Sequence, residues 1–196
     1  MNVHFLIGMM DKRQRILDAT KQLLSEHGFQ GISMQLVAKK ADVAAGTIYR
    51  YFSDKEDLIE QLKVETLTQA AKAIQKGVDN DMPLKERYSM IFLNIWNLAS
   101  KDGNLLLNRN QYECLPKKDS CKFRELERSL FAQVEQLYSE GKEEGIFKPL
   151  DNEILIGLSL EVSIILARKH VQGFYQLDST ALQNAIDASW DAIILH

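Results

Sequence analysis

The stretch from Gly31 to Leu58, with the sequence GISMQLVAKKADVAAGTIYRYFSDKEDL, constrains the fold of this chain more than any other part. It predicts one short helix from Met34 to Ala41, capped by the Ser33 hydroxyl, and a second from about Ala44 to Phe52. Asp42 and Val43 would form the tight turn between them. This layout is typical of a helix-turn-helix, whose second helix is shaped to enter the major groove of DNA.

Parts of this stretch and of the segment before it resemble a known family. Gly46 to Phe52 (GTIYRYF) followed by Asp54 to Leu58 (DKEDL) is similar to the signature of TetR-type transcriptional regulators, and Arg15 to Ala19 looks like the first helix of that family. The resemblance covers about Lys12 to Leu62. It implies an all-α fold of about nine helices, with an N-terminal three-helix DNA-binding domain and a larger helical domain for ligand binding and dimerisation.

Three residues depart from the family pattern. Asp42 occupies the turn position that is usually glycine, where a positive φ is favoured. Asp tolerates this conformation better than most residues, so we expect the turn to form with some strain. Ala44 replaces the usual Ser or Thr cap of the second helix, which we expect to cost about 1 kcal/mol of local stability. Leu36 replaces an acidic residue early in the first helix of the motif.

The predicted contacts to double-stranded DNA follow from the resemblance and from side-chain chemistry. We expect Arg50 and Thr47 to meet base edges, and Tyr49 and Lys55 to contact phosphates. The full predicted set is Ser33, Gln35, Ala45, Gly46, Thr47, Tyr49, Arg50, Tyr51 and Lys55. The whole chain carries a net charge of −3, but residues 1–55 hold 8 Lys and Arg against 5 Asp and Glu. Positive charge is therefore concentrated where phosphates would lie.

Helices are predicted through the rest of the chain, with prolines at their boundaries. Their predicted ranges are 55–77, 82–100, 104–114, 120–144, 152–174 and 180–195. The predicted DNA-binding domain is residues 11–55, and the predicted ligand-binding and dimerisation domain is residues 56–196. Residues 1–10 are expected to be a mobile arm, or to reflect an upstream alternative start.

The last two predicted helices, Asn152 to Phe174 and Thr180 to Leu195, are the candidate homodimer interface. The first is apolar nearly all round, which is unusual for a surface helix of a monomer. The small residues of this helix would let another helix approach closely; they are Ser159, Ser163 and Ala167. The second helix has a comparable stripe, which consists of Leu182, Ile186, Ser189 and Ile193. Both helices could instead lie in the core of the monomer, but the resemblance favours a dimer.

A hydrophobic ligand is the partner that the resemblance implies for the larger domain. The candidate lining residues are Tyr88, Phe92, Trp96, Tyr112, Phe123, Phe131 and Glu161. Ordinary core packing is the alternative for each aromatic residue. Glu161 interrupts an apolar helix, so its carboxylate should be paired, protonated or waiting for a ligand. Its partner would be Arg124, Arg128 or Arg168, or else a cationic hydrophobic inducer.

Other classes of function are less well supported by the sequence. It holds no phosphate-binding glycine loop, metal-ligand cluster or nucleophile motif, so we expect no enzyme, cofactor or metal. Cys114 and Cys121 match neither a redox pair nor a zinc site; free thiols and a redox switch both remain open. No run reaches the length of a membrane span, and the expected location is the cytoplasm. An architectural or division-linked DNA-binding protein of the same fold, without a ligand, is the alternative function.

Overall fold

The computed structural model describes residues 3–101 and 120–196, and both parts are built from helices. The described helices, in chain order, are α1 (Val3–His27), α2 (Met34–Lys40), α3 (Ala45–Ile48), α4 (Lys55–Ile74), α5 (Leu84–Lys101), α6 (Ser120–Leu130), α7 (Ala132–Glu143), α8 (Asn152–Ser159), α9 (Glu161–Val171) and α10 (Ser179–Asp191). Within the described residues, the β-structure consists of one antiparallel bridge that joins Phe147 and Ile194. The all-α prediction is confirmed.

Several helix ends differ from the prediction. α1 begins at Val3 and includes most of the segment expected as an arm, because that segment contains no proline to stop a helix. The two long helices predicted at 120–144 and 152–174 are each divided, at Phe131 and at Leu160. The helix predicted at 152–174 ends early, at Val171, because Gly173 takes a φ of 78° and terminates it. The helix predicted at 104–114 lies outside the described residues.

The described chain forms two compact units, and the division between them falls inside α4, after Thr66. The predicted boundary at residue 55 lies earlier. The reason is that Leu58, Ile59 and Leu62, from the first half of α4, are buried in the core of the first unit. Ala70 and Ile74, from its second half, belong to the core of the second unit. α4 therefore contributes side chains to both cores.

The core of the second unit surrounds α5. α9 packs along α5, and α7 and α10 also contact it. Two tyrosine hydroxyls are buried in this core and each is paired with a serine: Tyr88 with Ser189, and Tyr138 with Ser159, both at 2.7 Å between oxygens. Because a buried hydroxyl without a partner is costly, these pairs make the apolar core compatible with its polar groups.

Candidate nucleic-acid interface

α2 is fixed by a side-chain cap at its start and by an apolar face. The Ser33 Oγ accepts a hydrogen bond from the backbone N–H of Leu36 at 3.2 Å, so the predicted cap is confirmed. Met34, Val37 and Ala38 are buried in the first unit. The opposite face is exposed and carries Gln35, Lys39 and Lys40.

The turn after α2 has the strained geometry that the sequence predicts. Asp42 has a φ of 53°, in the left-handed region. The N–H of Asp42 donates to the carbonyl of Lys39 at 3.3 Å, and the N–H of Val43 donates to the carbonyl of Ala38 at 3.0 Å. This pair of bonds is the Schellman motif, which satisfies carbonyls left open at a helix end.

α3, the predicted recognition helix, is shorter than expected. It ends at Ile48, and the prediction that it continues to Phe52 is wrong. The N–H groups of Arg50 and Tyr51 donate three residues back, at 3.1 Å each, as in a tighter 3₁₀-type turn. Glycine, β-branched and aromatic residues all have modest helix propensity, which explains the early end. Ala44 makes no side-chain cap, as predicted.

The side chains around α3 divide into anchors and an exposed surface. Ile48 is 0% exposed and Phe52 is 1% exposed, so both hold the segment on the core. The exposed members of the predicted DNA-contact set are Ser33, Gln35, Ala45, Gly46, Tyr49 and Arg50, whereas Thr47, Tyr51 and Lys55 are half-buried. The structure thus brings the predicted set together within one unit, on α2 and its cap, on α3 and the turn after it, and at the start of α4.

The start of α4 is held by two hydrogen bonds to side chains. The N–H of Asp57 donates to the Asp54 Oδ1 at 2.7 Å, and the N–H of Ser53 donates to the Asp57 Oδ2 at 2.7 Å. The first bond is the side-chain cap of α4, and the second joins the Asp57 carboxylate to the residue before that cap. Between these residues, the Lys55 ammonium lies 4.1 Å from the centre of the Phe29 ring. A cation over an aromatic face is attracted by the ring, which orients the lysine.

The aromatic residues predicted to line a ligand site are mostly buried in the second unit. Tyr88 and Phe92 are 0% exposed and Trp96 is 8% exposed. The Tyr88 ring meets the Trp190 ring edge-on at 5.1 Å between centroids. Burial raises the pKa of the Tyr88 hydroxyl to about 12, although its hydrogen bond to Ser189 opposes that rise. These contacts are those of a packed core.

The other predicted ligand residues have different environments. Phe123 and Phe131 are half-buried, and Phe131 packs against the core around α5. Tyr112 lies outside the described residues, as do Cys114 and the side chain of Cys121. Glu161 is exposed on α9 and is not without a partner, and its assignment to a ligand stays a prediction.

The residues predicted for a dimer interface are also placed differently. Ser159, Ser163 and Ala167 are each 0% exposed, and the helices that carry them pack on the core around α5. Ile186, Ser189 and Ile193 are buried in the same unit, and Leu182 is half-buried against it. Both predicted stripes therefore face the interior. On α8 and α9 the exposed large apolar residues are Ile154, Leu158, Ile165 and, at the end of α9, Val171, at 48%, 48%, 54% and 60% exposure.

Comparison with known proteins assigns the chain. Residues 16–62 match the family model described as bacterial regulatory proteins, tetR family, and residues 83–194 match the tetracyclin repressor-like C-terminal domain. An HTH-type transcriptional regulator from Haemophilus influenzae, described as uncharacterized, is 34% identical over 93% of this chain and 96% of its own length. The chain belongs to the TetR family.

Solved structures agree with this TetR-family assignment. A protein from Vibrio parahaemolyticus, described as a putative TetR family transcriptional regulator, is 59% identical, covers 94% of this chain and 100% of its own, and has a TM-score of 0.85. The regulator FadR from Bacillus subtilis, solved in complex with stearoyl-CoA, shares the fold, with 20% identity, a TM-score of 0.68, and coverage of 93% and 99%. The protein is thus a DNA-binding transcriptional regulator. No helix in the described part of the chain is long and apolar enough to cross a membrane.

Two features of this TetR-family chain were not foreseen from its sequence. Arg15 reaches from α1 to the strained turn, where its Nη2 donates to both the carbonyl and the carboxylate of Asp42. Arg87, which is 2% exposed, pairs with Glu140 at 2.7 Å in the second unit, and this holds the pKa of that carboxyl below its usual value. The departure at Asp42 was the available signal for the first feature. Nothing in the spacing of Arg87 and Glu140 signals the second.

Proposed function

We propose that this TetR-family regulator acts in the cytoplasm as a homodimeric repressor that binds a palindromic operator and is released by a small hydrophobic ligand. The observation that carries the DNA part is the exposed surface formed by Ala45, Gly46, Tyr49 and Arg50 beside the buried anchor Ile48. A side chain added at Gly46 would meet nothing within 4 Å in the chain. The glycine is therefore not required by internal packing, and it leaves room for a closely approaching DNA backbone.

Different residues of this surface have different proposed roles. Arg50 is exposed and can bond a guanine edge in two places, so it is assigned to reading sequence. Thr47 would contribute a shorter-range contact to a base. Tyr49, which is 52% exposed, and Lys55 are assigned to phosphates. The Phe29 ring beside Lys55 supports the phosphate role of this lysine. The ring already restricts the conformations of the side chain, so less conformational entropy is lost when it binds DNA.

The test begins by selecting a binding sequence from random duplexes with the full-length protein. Arg50→Ala should then lose about 1–3 kcal/mol of preference for the selected over random DNA. Lys55→Ala should weaken both alike and should reduce the salt slope by about one. Lys12→Ala, which removes an exposed charge from α1, is the matched control and should keep the sequence preference. An Arg50→Ala variant with an unchanged preference would remove Arg50 from base reading.

The homodimer is proposed on the exposed apolar stripe of α8 and α9. Ile154, Leu158 and Ile165 follow one another at helical spacing, and water-exposed rows of this kind are typical of interaction surfaces. Ala188 on the exposed face of α10 and Ala192 just after its end offer small side chains, which would allow close helix approach. Binding of two half-sites by one dimer would compensate for the small DNA-facing surface of each subunit.

A hydrophobic ligand is proposed for the second unit. FadR from Bacillus subtilis, of the same fold, is described in complex with stearoyl-CoA. Tyr88 and Phe92 are packed in the core, so among the described aromatic residues of the predicted set the half-buried Phe123 and Phe131 are the most accessible to an incoming acyl chain. α4 contributes to both cores. We propose that ligand binding shifts this helix, and with it the spacing of the two DNA-reading surfaces of the dimer.

A thermal-shift screen with acyl-CoA esters, hydrophobic cations and phenols tests the ligand. A compound that stabilises the protein should do so less in Phe131→Ala than in the control Gln136→Ala, whose side chain is exposed on the helix that follows Phe131. An inducer must bind free protein more tightly than operator-bound protein, by the same factor through which it weakens DNA binding. Equal affinity for the two forms would show that the compound is not an inducer.

A further inference from the structure

Asp42 has a conformation that the described chain otherwise reserves for glycine. The other described residues with a positive φ are Gly28, Gly77, Gly145 and Gly173. Glycine adopts this region without steric cost, because it has no Cβ. Asp can enter it, but at a cost in energy that the surroundings have to offset.

Two of these glycines end helices with the same hydrogen bonds that surround Asp42. After α7, the N–H of Gly145 donates to Lys142 and that of Ile146 donates to Gly141. After α9, Gly173 and Phe174 repeat the pattern. Both are Schellman motifs with glycine at the left-handed position. The turn after α2 is the same motif with Asp in that position, so it needs a support that the other two do not.

Arg15 provides the contact that supports the strained turn at Asp42. Its Nη2 lies 3.0 Å from the Asp42 carbonyl oxygen and 3.0 Å from the Asp42 Oδ2. The Asp42 side chain is 97% exposed, so packing does not hold it, whereas Arg15 is 37% exposed and starts from α1. A bond to the carbonyl orients the peptide that leaves Asp42, and a bond to the carboxylate holds the side chain of the same residue.

We propose that Arg15 is a positioning residue for DNA recognition: it locks the left-handed turn at Asp42 and thereby sets the direction in which α3 leaves α2. α3 starts at Ala45, three positions after Asp42, so a rotation of that peptide displaces Tyr49 and Arg50. The guanidinium acts through the turn and makes no DNA contact of its own. α1 therefore contributes to operator binding although none of its residues belongs to the reading surface.

Substitutions at Asp42 separate this role from a simple charge effect. Asp42→Gly removes the carboxylate but adopts the turn freely, so operator affinity should stay within about threefold of the wild type. Asp42→Ala removes the same charge but resists a positive φ, so affinity should fall about tenfold. If charge were the cause, both variants would bind DNA more tightly, since each removes an anion and releases Arg15 towards phosphates.

A double-mutant cycle tests Arg15 itself in the full-length protein. Arg15→Ala should lower operator affinity about tenfold, and Arg15→Ala with Asp42→Gly should regain affinity close to that of Asp42→Gly alone. Hydrogen exchange at the N–H of Val43, which bonds to Ala38, should quicken in the single variant and return in the double. An ion pair that only stabilised the fold would leave the operator affinity of the folded Arg15→Ala protein unchanged.

The result that overturns the proposal is equally specific. If the double variant binds as weakly as Arg15→Ala, and both lose about one unit of salt slope, then Arg15 contacts a phosphate directly. If Arg15→Ala fails to fold, the comparison of Asp42→Gly with Asp42→Ala still decides, because Arg15 is present in both. Equal operator affinity for those two variants would refute a positioning role.

Discussion

Leu158→Glu should convert the proposed dimer into folded monomers. Leu158 is 48% exposed, near the middle of a stripe with Ile154 at 48% and Ile165 at 54%. Burying the exposed half of one such side chain is worth about 1 kcal/mol, so six of them from two subunits contribute roughly 6 kcal/mol. That amount is comparable with the lower part of the estimated cost of association, about 4–15 kcal/mol.

The glutamate affects this balance twice. It removes about 2 kcal/mol of apolar burial from the two copies, and it places two unpaired carboxylates in the interface at a further cost of several kcal/mol. A loss of at least about 4 kcal/mol weakens dimerisation roughly a thousandfold. Glu161 lies on the same exposed side of the helix pair and adds like-charge repulsion. Operator affinity should then collapse, because each half-site must be bound separately.

Sedimentation velocity over a micromolar concentration series is the assay, with circular dichroism to show that the helices remain. Gln136→Glu is the matched control, because it adds the same charge to the second unit at an exposed position away from the stripe. Ser163→Arg gives a useful contrast. Ser163 is 0% exposed, so that variant should unfold the unit instead of separating subunits. A Leu158→Glu dimer as tight as the wild type, or a monomeric wild type in this range, would refute the reasoning.

Two further predictions concern stability. Tyr88 has a pKa raised to about 12 in the fold, above its ordinary value of 10.0, so its contribution to stability is complete below pH 10 and is lost as the pH rises towards 12. In urea unfolding at a series of alkaline pH values, Tyr88 should contribute a loss of about 2–3 kcal/mol. Burial also raises the pKa of the Tyr138 hydroxyl, so Tyr88→Phe should reduce the slope without removing it; an equal slope in both proteins would exclude a contribution from Tyr88. At Gly141 an added Cβ would overlap the ring of Phe147, which is 1% exposed. Gly141→Ala should therefore cost about 1–3 kcal/mol in denaturant unfolding, and an unchanged midpoint would show that the ring can move aside.

The sequence was most informative where a residue type is tied to a local geometry. Ser33 predicted a cap because its hydroxyl can reach the open N–H groups of α2, and Asp42 predicted a left-handed turn because few other residues replace glycine there. Both depend on contacts within a few positions of the chain. The same is true of Ala44, whose missing cap follows from its side chain alone.

It was least informative where a helix is apolar on more than one side. Ser163 and Leu158 stand on the same predicted helix, and periodicity could not decide that the small residue faces the core and the large one faces water. The buried hydroxyl of Tyr138 is hydrogen-bonded to that of Ser159, which helps to explain why a serine occupies this interior position.

The shortness of α3 limits how its specificity can be transferred. Four residues are far below the length at which an isolated helix persists in water, so the segment holds its shape through Ile48 and Phe52 and through the preceding turn. A graft of residues 45–51 into another scaffold would transfer the DNA-contacting side chains but not the structural frame that orients them. Exchange of residues 12–62 as a block, including Arg15 and Asp42, is the smallest swap that keeps that frame intact. We therefore expect operator preference in this protein to be transferred only with the folded first unit as a whole.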